Sequence, residues 1–344
     1  MPTPLTVPPA AFELRDAPGL RWGIIGPGAI ARDWTRTVHA HTDQRVAAVA
    51  SRSTDKGRAF AAEHGIERVH TTVDALCMDD EIDVIYISSP HPLHREHALA
   101  AIAAGKPVLI EKPIAMSAAE ATEIADAAKA ANVFAMEAMW SRFLPQMRIV
   151  DDVLRSGVLG PLRHVSAEFS SRATFDPHSR LFDPALGGGA LLDIGVYPLW
   201  FTSWVLGAPH LAHASGLHAE TGVDSDATVL LRAAGATAVA RTSVLATAPH
   251  RAGLFGENGR LELDAPFWSP SGLTLTLQSP RGDLEVSRWT DPTSLRGRDG
   301  LAYQAVAVAE HLAAGRTEAP EHPLATSIRV MRLIDEARAL IDAG

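Results

Sequence analysis

Cysteine is almost missing from this chain: Cys77 stands alone among 344 residues. One thiol forms neither an intrachain disulfide nor a multi-cysteine metal site, and its scarcity fits a reducing compartment, so a cytoplasmic location is expected. Long apolar runs are scarce too. No stretch of membrane-spanning length goes uninterrupted, and no membrane partner is expected. The N-terminus, MPTPLTVPPAAFELRDAPG, carries Pro2, Pro4, Pro8 and Pro9 where a signal peptide needs a basic start and an apolar core, so it reads as a short leader or arm. Positive charge is not in excess. With 31 Lys and Arg against 40 Asp and Glu the formal charge is −9, which argues against a nucleic-acid surface and leaves room for a local basic pocket for one phosphate.

What is present is ample core material, 47% hydrophobic, in a chain longer than one core usually serves, so two domains are expected. Short apolar runs at 21–26, 46–50, 83–88 and 107–110 alternate with helical patterns near 29–40, 55–64, 92–104 and 117–131. Parallel strands need such crossovers, and the pattern predicts a doubly wound α/β sheet of Rossmann type with NVFAME, 132–137, as its sixth strand. After about residue 160 alternating runs at 163–171, 227–232, 236–245, 259–264, 272–278 and 282–288 predict a mainly antiparallel sheet with one polar side. Helical patterns at 301–314 and 324–341 make that second domain α+β. The expected division is an arm at 1–19, a dinucleotide-binding domain at 20–138, and a substrate and oligomerisation domain at 139–344 whose C-terminal part can pack back on the first.

The first motif is GIIGPGAIA, 23–31. Gly26 permits a tight turn after the strand, Gly28 lets a phosphate approach the backbone, and Ala31 takes the third small position of G-x-G-x-x-A. A helix starting beside Gly28 presents the amides of Ala29 and Ile30 to a pyrophosphate. Taken alone, two glycines also describe a plain tight turn; the βαβ context favours the dinucleotide. The second strand ends in Ser51 and Arg52, with Lys56 and Arg58 nearby and no carboxylate before Asp55. NAD sites usually carry Asp or Glu there, whereas arginine suits a 2′-phosphate, so NADP is preferred with NAD possible.

SSPHPLHREHA, 88–98, follows the fourth strand. Ser89 and Pro90 belong to a loop expected to pass over the nicotinamide, and His94 is a candidate cofactor-loop or substrate contact. No third ligand stands nearby, so no metal is expected; packing is the plainer role for His94 and His97. LIEKPIAM, 109–116, then places Glu111 and Lys112 where a buried strand leaves the core, the end at which open α/β sheets bind ligands. Lys112 there offers a fixed ammonium to a substrate hydroxyl, Glu111 pairs with it or caps backbone donors, and Pro113 restricts the backbone, with a cis bond as one form. An ordinary ion pair at a strand end is the competing reading.

LGGGALLDIGVYPLWFTSWVLG, 186–207, turns from three glycines into a helix-like segment. Asp193 and Tyr197, four apart, share a helix face. Tyr197 carries an exchangeable proton but needs a cationic neighbour such as Lys112 to act near neutrality, since a free phenol titrates near 10. A helix cap for Asp193 and a half-buried aromatic for Tyr197 are the structural alternatives.

These motifs, in this order, resemble the Gfo/Idh/MocA oxidoreductase family over residues 20 to 344, nearest its dimeric dihydrodiol dehydrogenase and D-xylose dehydrogenase branch, which FAMEAMWSRFLPQ (134–146) also resembles. The resemblance implies a Rossmann domain joined to an α+β domain with a large open sheet, NADP as cofactor, and a homodimer or higher homo-oligomer. It implies hydride transfer to or from a sugar, polyol or cyclic diol. Lys112 matches the lysine of the family's E-K-P motif and Asp193 the aspartate of its D-x-G-x-H motif; Tyr197 departs from that histidine and matches the branch in which tyrosine is the acid–base residue. Trp140, Phe143, Phe169 and Trp200 are candidate apolar walls, with an ordinary core position the favoured reading for each. Two other readings remain: a non-catalytic NADP-binding redox sensor, and an enzyme using tightly retained NAD(P) in internal redox or glycoside chemistry.

Overall fold

In the computed structural model, which describes residues 5–279 and 281–343, the chain forms two compact units. Residues 1–4 of the expected arm lie outside the described residues. The first unit comprises Glu13–Phe143 and Gly297–Met331, and the second Leu144–Arg296 with residues up to Phe12 and from Arg332 onward.

The first unit holds strands β1 (Arg21–Ile25), β2 (Arg45–Ala50), β3 (Arg68–His70), β4 (Val84–Ile87), β5 (Val108–Glu111) and β6 (Ala135–Ala138). Helices α1 (Ala29–His41), α2 (Thr54–His64), α3 (Val73–Cys77), α4 (His94–Ala103) and α5 (Ala118–Ala131) connect them. The order is β3-β2-β1-β4-β5-β6 and every pair is parallel, the doubly wound arrangement whose ligands lie at the strands' carboxyl ends. β4 and β5 are buried at every position, as continuous apolar runs covered on both faces should be. Trp22, Trp34 and Tyr86 pack ring on ring beneath β1 and β4, with Trp34 and Tyr86 stacked at 4.5 Å. Residues 13–19 lie against the sheet's outer end, where Arg15 donates to the carbonyls of Ala40 and Thr42.

The second unit begins with α6 (Pro145–Ser156), β7 (Leu162–Ser170) and α7 (Val196–Leu206), and continues with β8 (His210–His218), β9 (Asp224–Ala233), β10 (Ala236–Ser243), β11 (Ala252–Gly256), β12 (Gly259–Leu263), β13 (Gly272–Gln278) and β14 (Leu284–Thr290). Its eight strands run β14-β13-β12-β11-β7-β10-β9-β8, antiparallel except for β7 and β10. α7 lies on β7 and β10 and buries Trp200 completely, so Trp200 is core and not a pocket wall. By length and composition Pro184–Leu206 is apolar enough to cross a membrane, but 83% of its apolar window is buried within the fold, the behaviour of a core helix. α8 (Leu301–Ala313) packs in the first unit against α1, and α9 (Leu324–Ala343) is shared, its residues through Met331 belonging to the first unit.

Five elements escape the sequence reading. β3 is three residues long and α3 five, too short to show a period. β8, HLAHASGLH, is a mostly exposed sheet edge without a clear alternation of polar and apolar residues, and β11 is a short run bounded by glycine. α6 is strongly amphipathic, burying Met147, Val150 and Val153, yet it falls in the stretch where the strand pattern changes character.

Candidate functional site

The cleft of the first unit is built on the β1–α1 turn. Gly26 has φ +93°, and a Cβ there would stand 2.8 Å from the backbone of Ser89, so only glycine lets the turn pass the β4 loop this closely. Gly28 opens α1, which has no side-chain cap, whereas Ser53 and Ser117 cap α2 and α5 by accepting from Lys56 and Glu120 amides. The first amides of α1, including those of Ala29 and Ile30, therefore have no side-chain acceptor and carry the positive end of the helix dipole. Ser88 holds the neighbouring loop by donating to the carbonyl of Gly26 at 2.9 Å.

These loops border a cavity of about 540 Å³, lined by Gly26, Pro27, Gly28, Ser88, Ser89 and Pro90. Ser51, Arg52, Ser53, Lys56 and Thr71 to Val73 line it as well, with Leu93 and with His97 from the start of α4. Of the expected cofactor residues the structure thus brings Gly26, Gly28, Ser51, Arg52, Ser89 and Pro90 onto one wall-to-wall cleft. No described side chain pairs with Arg52 or with the Lys56 ammonium, which leaves both cations open to an anion. The residues therefore fit a dinucleotide: a glycine turn, an uncapped helix start and two cations sit in one cavity large enough for much of it.

His94 lies beneath this cleft. It is fully buried, with Nδ1 2.9 Å from the Pro113 carbonyl and Nε2 2.8 Å from the Ser89 carbonyl, so it ties the β4 and β5 loops together. Burial pushes its pKa down to about 4, despite the two carbonyls that favour a proton, and the ring is neutral at pH 7. His97, one turn on, faces the cavity instead.

At the end of β5, Glu111 is buried. It accepts from the Tyr86 hydroxyl at 2.5 Å and, with its other oxygen, from the Lys112 amide at 3.2 Å. Burial raises its pKa, while the Tyr86 bond and the Lys112 charge pull the other way. Glu111 thus caps the backbone that presents Lys112, one of the two roles its position allowed, and the Lys112–Pro113 peptide is cis. The next amide, that of Ile114, donates to Glu137 on β6 at 3.0 Å, and Glu137 is held from behind by His322 at 3.0 Å. None of Ile30, Glu111 or Lys112 is among the cavity-lining residues.

The pairing of Glu137 with His322 was not foreseen, because 185 residues separate them and His322 stands in no motif. Burial alone would raise the Glu137 carboxyl; the His322 bond and charge, the Ser327 hydroxyl and the Ile114 amide outweigh it and hold it below the usual range. A depressed carboxyl contributes stability that is present above its unfolded value and lost as pH falls through the folded one. Glu137→Gln is expected to cost about 1–2 kcal/mol at pH 7, the difference between a charge-assisted and a neutral hydrogen bond. Urea denaturation should show the two proteins converging below about pH 4; an equal gap at both pH values would mean the charge is not the source.

In the second unit, the turn before α7 is set by Gly189 and Asp224. Gly189 has φ +123°, and a Cβ there would fall on the Asp224 carboxylate, which accepts from the Leu191 amide at 2.6 Å and meets Arg338 of α9 at 3.3 Å. Leu191–Gly195 then winds as a π-helical turn into α7, a local widening frequent at functional sites and not visible in the helix-like sequence. Asp193 lies on this turn and Tyr197 in the first turn of α7 that follows it. Asp193, 6% exposed, accepts from Arg180 at 2.6 Å, a contact no spacing rule could reveal. Tyr197, also 6% exposed, lies beside Phe169 and Trp268, whose rings stack at 4.9 Å, and His250 completes the group at 4.7 Å from Phe169. Phe169, Trp268 and His250 are all partly exposed. Of the four aromatics weighed as walls or core, Phe169 stands beside Tyr197, while Trp140 and Phe143 are buried in the first unit as core. Trp268 and His250 come from loops far along the chain.

A parallel sheet of order 3-2-1-4-5-6 with its glycine turn over an open cleft defines a dinucleotide-binding protein of Rossmann class. Residues 20–139 match the model of an oxidoreductase family with an NAD-binding Rossmann fold, Gfo/Idh/MocA, and residues 147–262 match the Gfo/Idh/MocA C-terminal domain. The chain is 34% identical to trans-1,2-dihydrobenzene-1,2-diol dehydrogenase of Xenopus tropicalis, over 92% of this chain and 96% of that one. It is 35% identical to the Homo sapiens protein of the same name, over 94% and 97%. Among solved structures, KijD10, a 3-ketoreductase from Actinomadura kijaniata in complex with NADP and TDP-benzene, superposes with a TM-score of 0.80 at 29% identity, covering 94% of this chain and 98% of that one. The aldose-aldose oxidoreductase from Caulobacter crescentus complexed with glycerol gives 0.82 at 25% identity, covering 95% and 98%. The chain belongs to the Gfo/Idh/MocA oxidoreductase family.

Proposed function

We propose that this oxidoreductase is an NADP-dependent dehydrogenase or reductase acting at a secondary alcohol or carbonyl of a ring-shaped polyhydroxylated substrate, a cyclic diol or a sugar. The observation that carries the substrate class is the surroundings of Tyr197: a stacked Phe169–Trp268 pair beside its ring and the Asp193–Arg180 pair one turn before it in the chain. Aromatic faces take the apolar face of a ring, and a carboxylate with a guanidinium takes its hydroxyls. The names of the diol dehydrogenase relatives and the sugar-related names of the structural neighbours support the same class.

In this reading the first-unit cleft binds the dinucleotide, with Gly26, Gly28 and the amides of Ala29 and Ile30 at the pyrophosphate and Ser51 and Arg52 at the 2′-phosphate. Ser89 and Pro90 belong to the loop flanking the cofactor, and His94 and Glu111 act by holding that loop and the Lys112 backbone. When bound, the nicotinamide supplies or accepts the hydride. Tyr197 exchanges the proton of the reacting hydroxyl, Lys112 provides a cation that favours the anionic oxygen, and Asp193 orients a neighbouring hydroxyl. The pairing of Lys112 with Tyr197 rests on the motifs that carry them. A cytoplasmic homodimer or higher homo-oligomer belongs to the same proposal.

The first test is binding. Calorimetry should detect NADP(H), and a screen of aldoses, polyols and dihydrodiols should change absorbance in the reduced-nicotinamide band; no binding of either redox form would remove the proposal at its base. Replacing Arg52 with Ala is expected to weaken NADP(H) by about 1.5–3 kcal/mol, the worth of a charge-assisted contact, and NAD(H) far less. Equal losses for the two cofactors would assign Arg52 to the adenine pocket or the fold.

A further inference from the structure

His97, for which packing was the plainer expected role, lines the cleft. It sits on the first turn of α4, half-buried, and its Nδ1 lies 2.9 Å from the Ser89 hydroxyl. That bond aims the ring. Among the described residues no protein group bonds Nε2, so one ring nitrogen remains to meet a ligand, as donor or acceptor according to tautomer. Arg52 and Lys56 line the same cavity, and Arg52 is close enough to act on the charge of the His97 ring. A third potential cation thus borders the part of the cleft to which the NADP reading assigns the 2′-phosphate.

We propose that His97 is a specificity-determining residue for the cofactor: its imidazole favours the 2′-phosphorylated dinucleotide over the unphosphorylated one, and favours it more strongly once it takes up a proton. The inference rests on the NADP reading of the same cleft. The charged groups that act on His97 are Glu96 on its own helix and Arg52 after β2; none of α3 or α5 does so among the described residues. His94, buried on the same helix, is the other titratable neighbour. Burial lowers the pKa of His97, Glu96 raises it and Arg52 lowers it, with the net result below the ordinary histidine value. The free protein therefore holds the ring neutral at pH 7. A phosphate in the cleft stabilises the imidazolium and offsets the repulsion from Arg52, so the bound state titrates at higher pH than the free one. Binding then takes up a proton, and affinity gains as pH falls through the bound-state value toward the free-state value.

The 2′-phosphate itself gains a proton near pH 6, which works in the opposite direction. Comparison of the native protein with His97→Gln removes that contribution, because both meet the same cofactor. Calorimetric titration of full-length protein with NADP+ and NAD+ from pH 8 to pH 5.5 is the experiment. The ratio of native to H97Q affinity for NADP+ is expected to rise from near one to about three- to five-fold at the acid end, the size of a solvated ion-pair contribution, with little change for NAD+. A second measurement uses the native protein alone: NADP+ titrations in two buffers of different ionisation enthalpy should reveal proton uptake near pH 6.5 that exceeds that of H97Q. Parallel pH profiles and equal proton uptake in the two proteins would overturn the inference while leaving NADP binding intact. An equal gain for NAD+ would also overturn it, since the pyrophosphate and not the 2′-phosphate would then be the partner. Failure of both proteins to bind NADP+ at any pH would remove the cofactor reading together with it.

Discussion

Tyr197→Phe should lower turnover by roughly 100-fold or more with cofactor affinity unchanged, the scale on which positioned acid–base groups contribute. The substitution keeps the ring that packs against Phe169 and Trp268 and removes only the hydroxyl. Folding should therefore survive, and a thermal melt and an NADP(H) titration serve as controls. Tyr197 belongs to the second unit, whereas the dinucleotide cleft is built in the first, so a loss of cofactor binding in this variant would argue for a structural and not a chemical effect. Near-normal turnover with saturating NADP(H) would reject the phenol as the acid–base group and move attention to Asp193 or an ordered water.

Lys112→Met should cost a comparable factor, about 100-fold, because a fixed cation at a developing oxyanion is worth that much when removed. Methionine keeps much of the side chain's length and apolar stem, and the Glu111 cap on the residue's backbone amide does not depend on the side chain. A pH profile distinguishes the lysine's role. If its charge favours the phenolate of Tyr197, the activity of Lys112→Met moves toward higher pH as well as down. If the drop comes without a shift, lysine acts on the substrate oxygen directly. The double variant should lose less than the product of the two single losses, as residues serving one proton transfer do. Full multiplicativity would separate them into independent roles.

The parts of the fold that were legible are those whose physical cause is local. β1, β2, β4 and β5 are continuous apolar runs because both faces of a parallel sheet are covered, and of the helices between them α1 carries its own period and α2 its own cap. That Gly26, Gly28, Ser51 and Arg52 border one cleft was legible for a related reason: each pair follows directly on the carboxyl end of its own strand, β1 or β2, and those ends lie side by side in the sheet. The sixth strand begins three residues later than expected, at Ala135, since Asn132 takes the left-handed conformation that ends α5.

What the chain's order of residues determined alone was thus the sheet of the first unit, the mainly antiparallel character of the second, the glycine turn, and the presence of a lysine and a tyrosine in motifs suited to proton and charge management. Only the tertiary structure decided that His94 is a buried tie between two loops while His97 faces the cleft, although both belong to one short histidine-rich segment. It also decided that Asp193 meets Arg180, that Glu137 is held by His322, and that Trp268 and His250 join the aromatic group beside Tyr197. Period and propensity act over a few residues, and a side chain's direction and partners depend on which distant segment the fold brings against it.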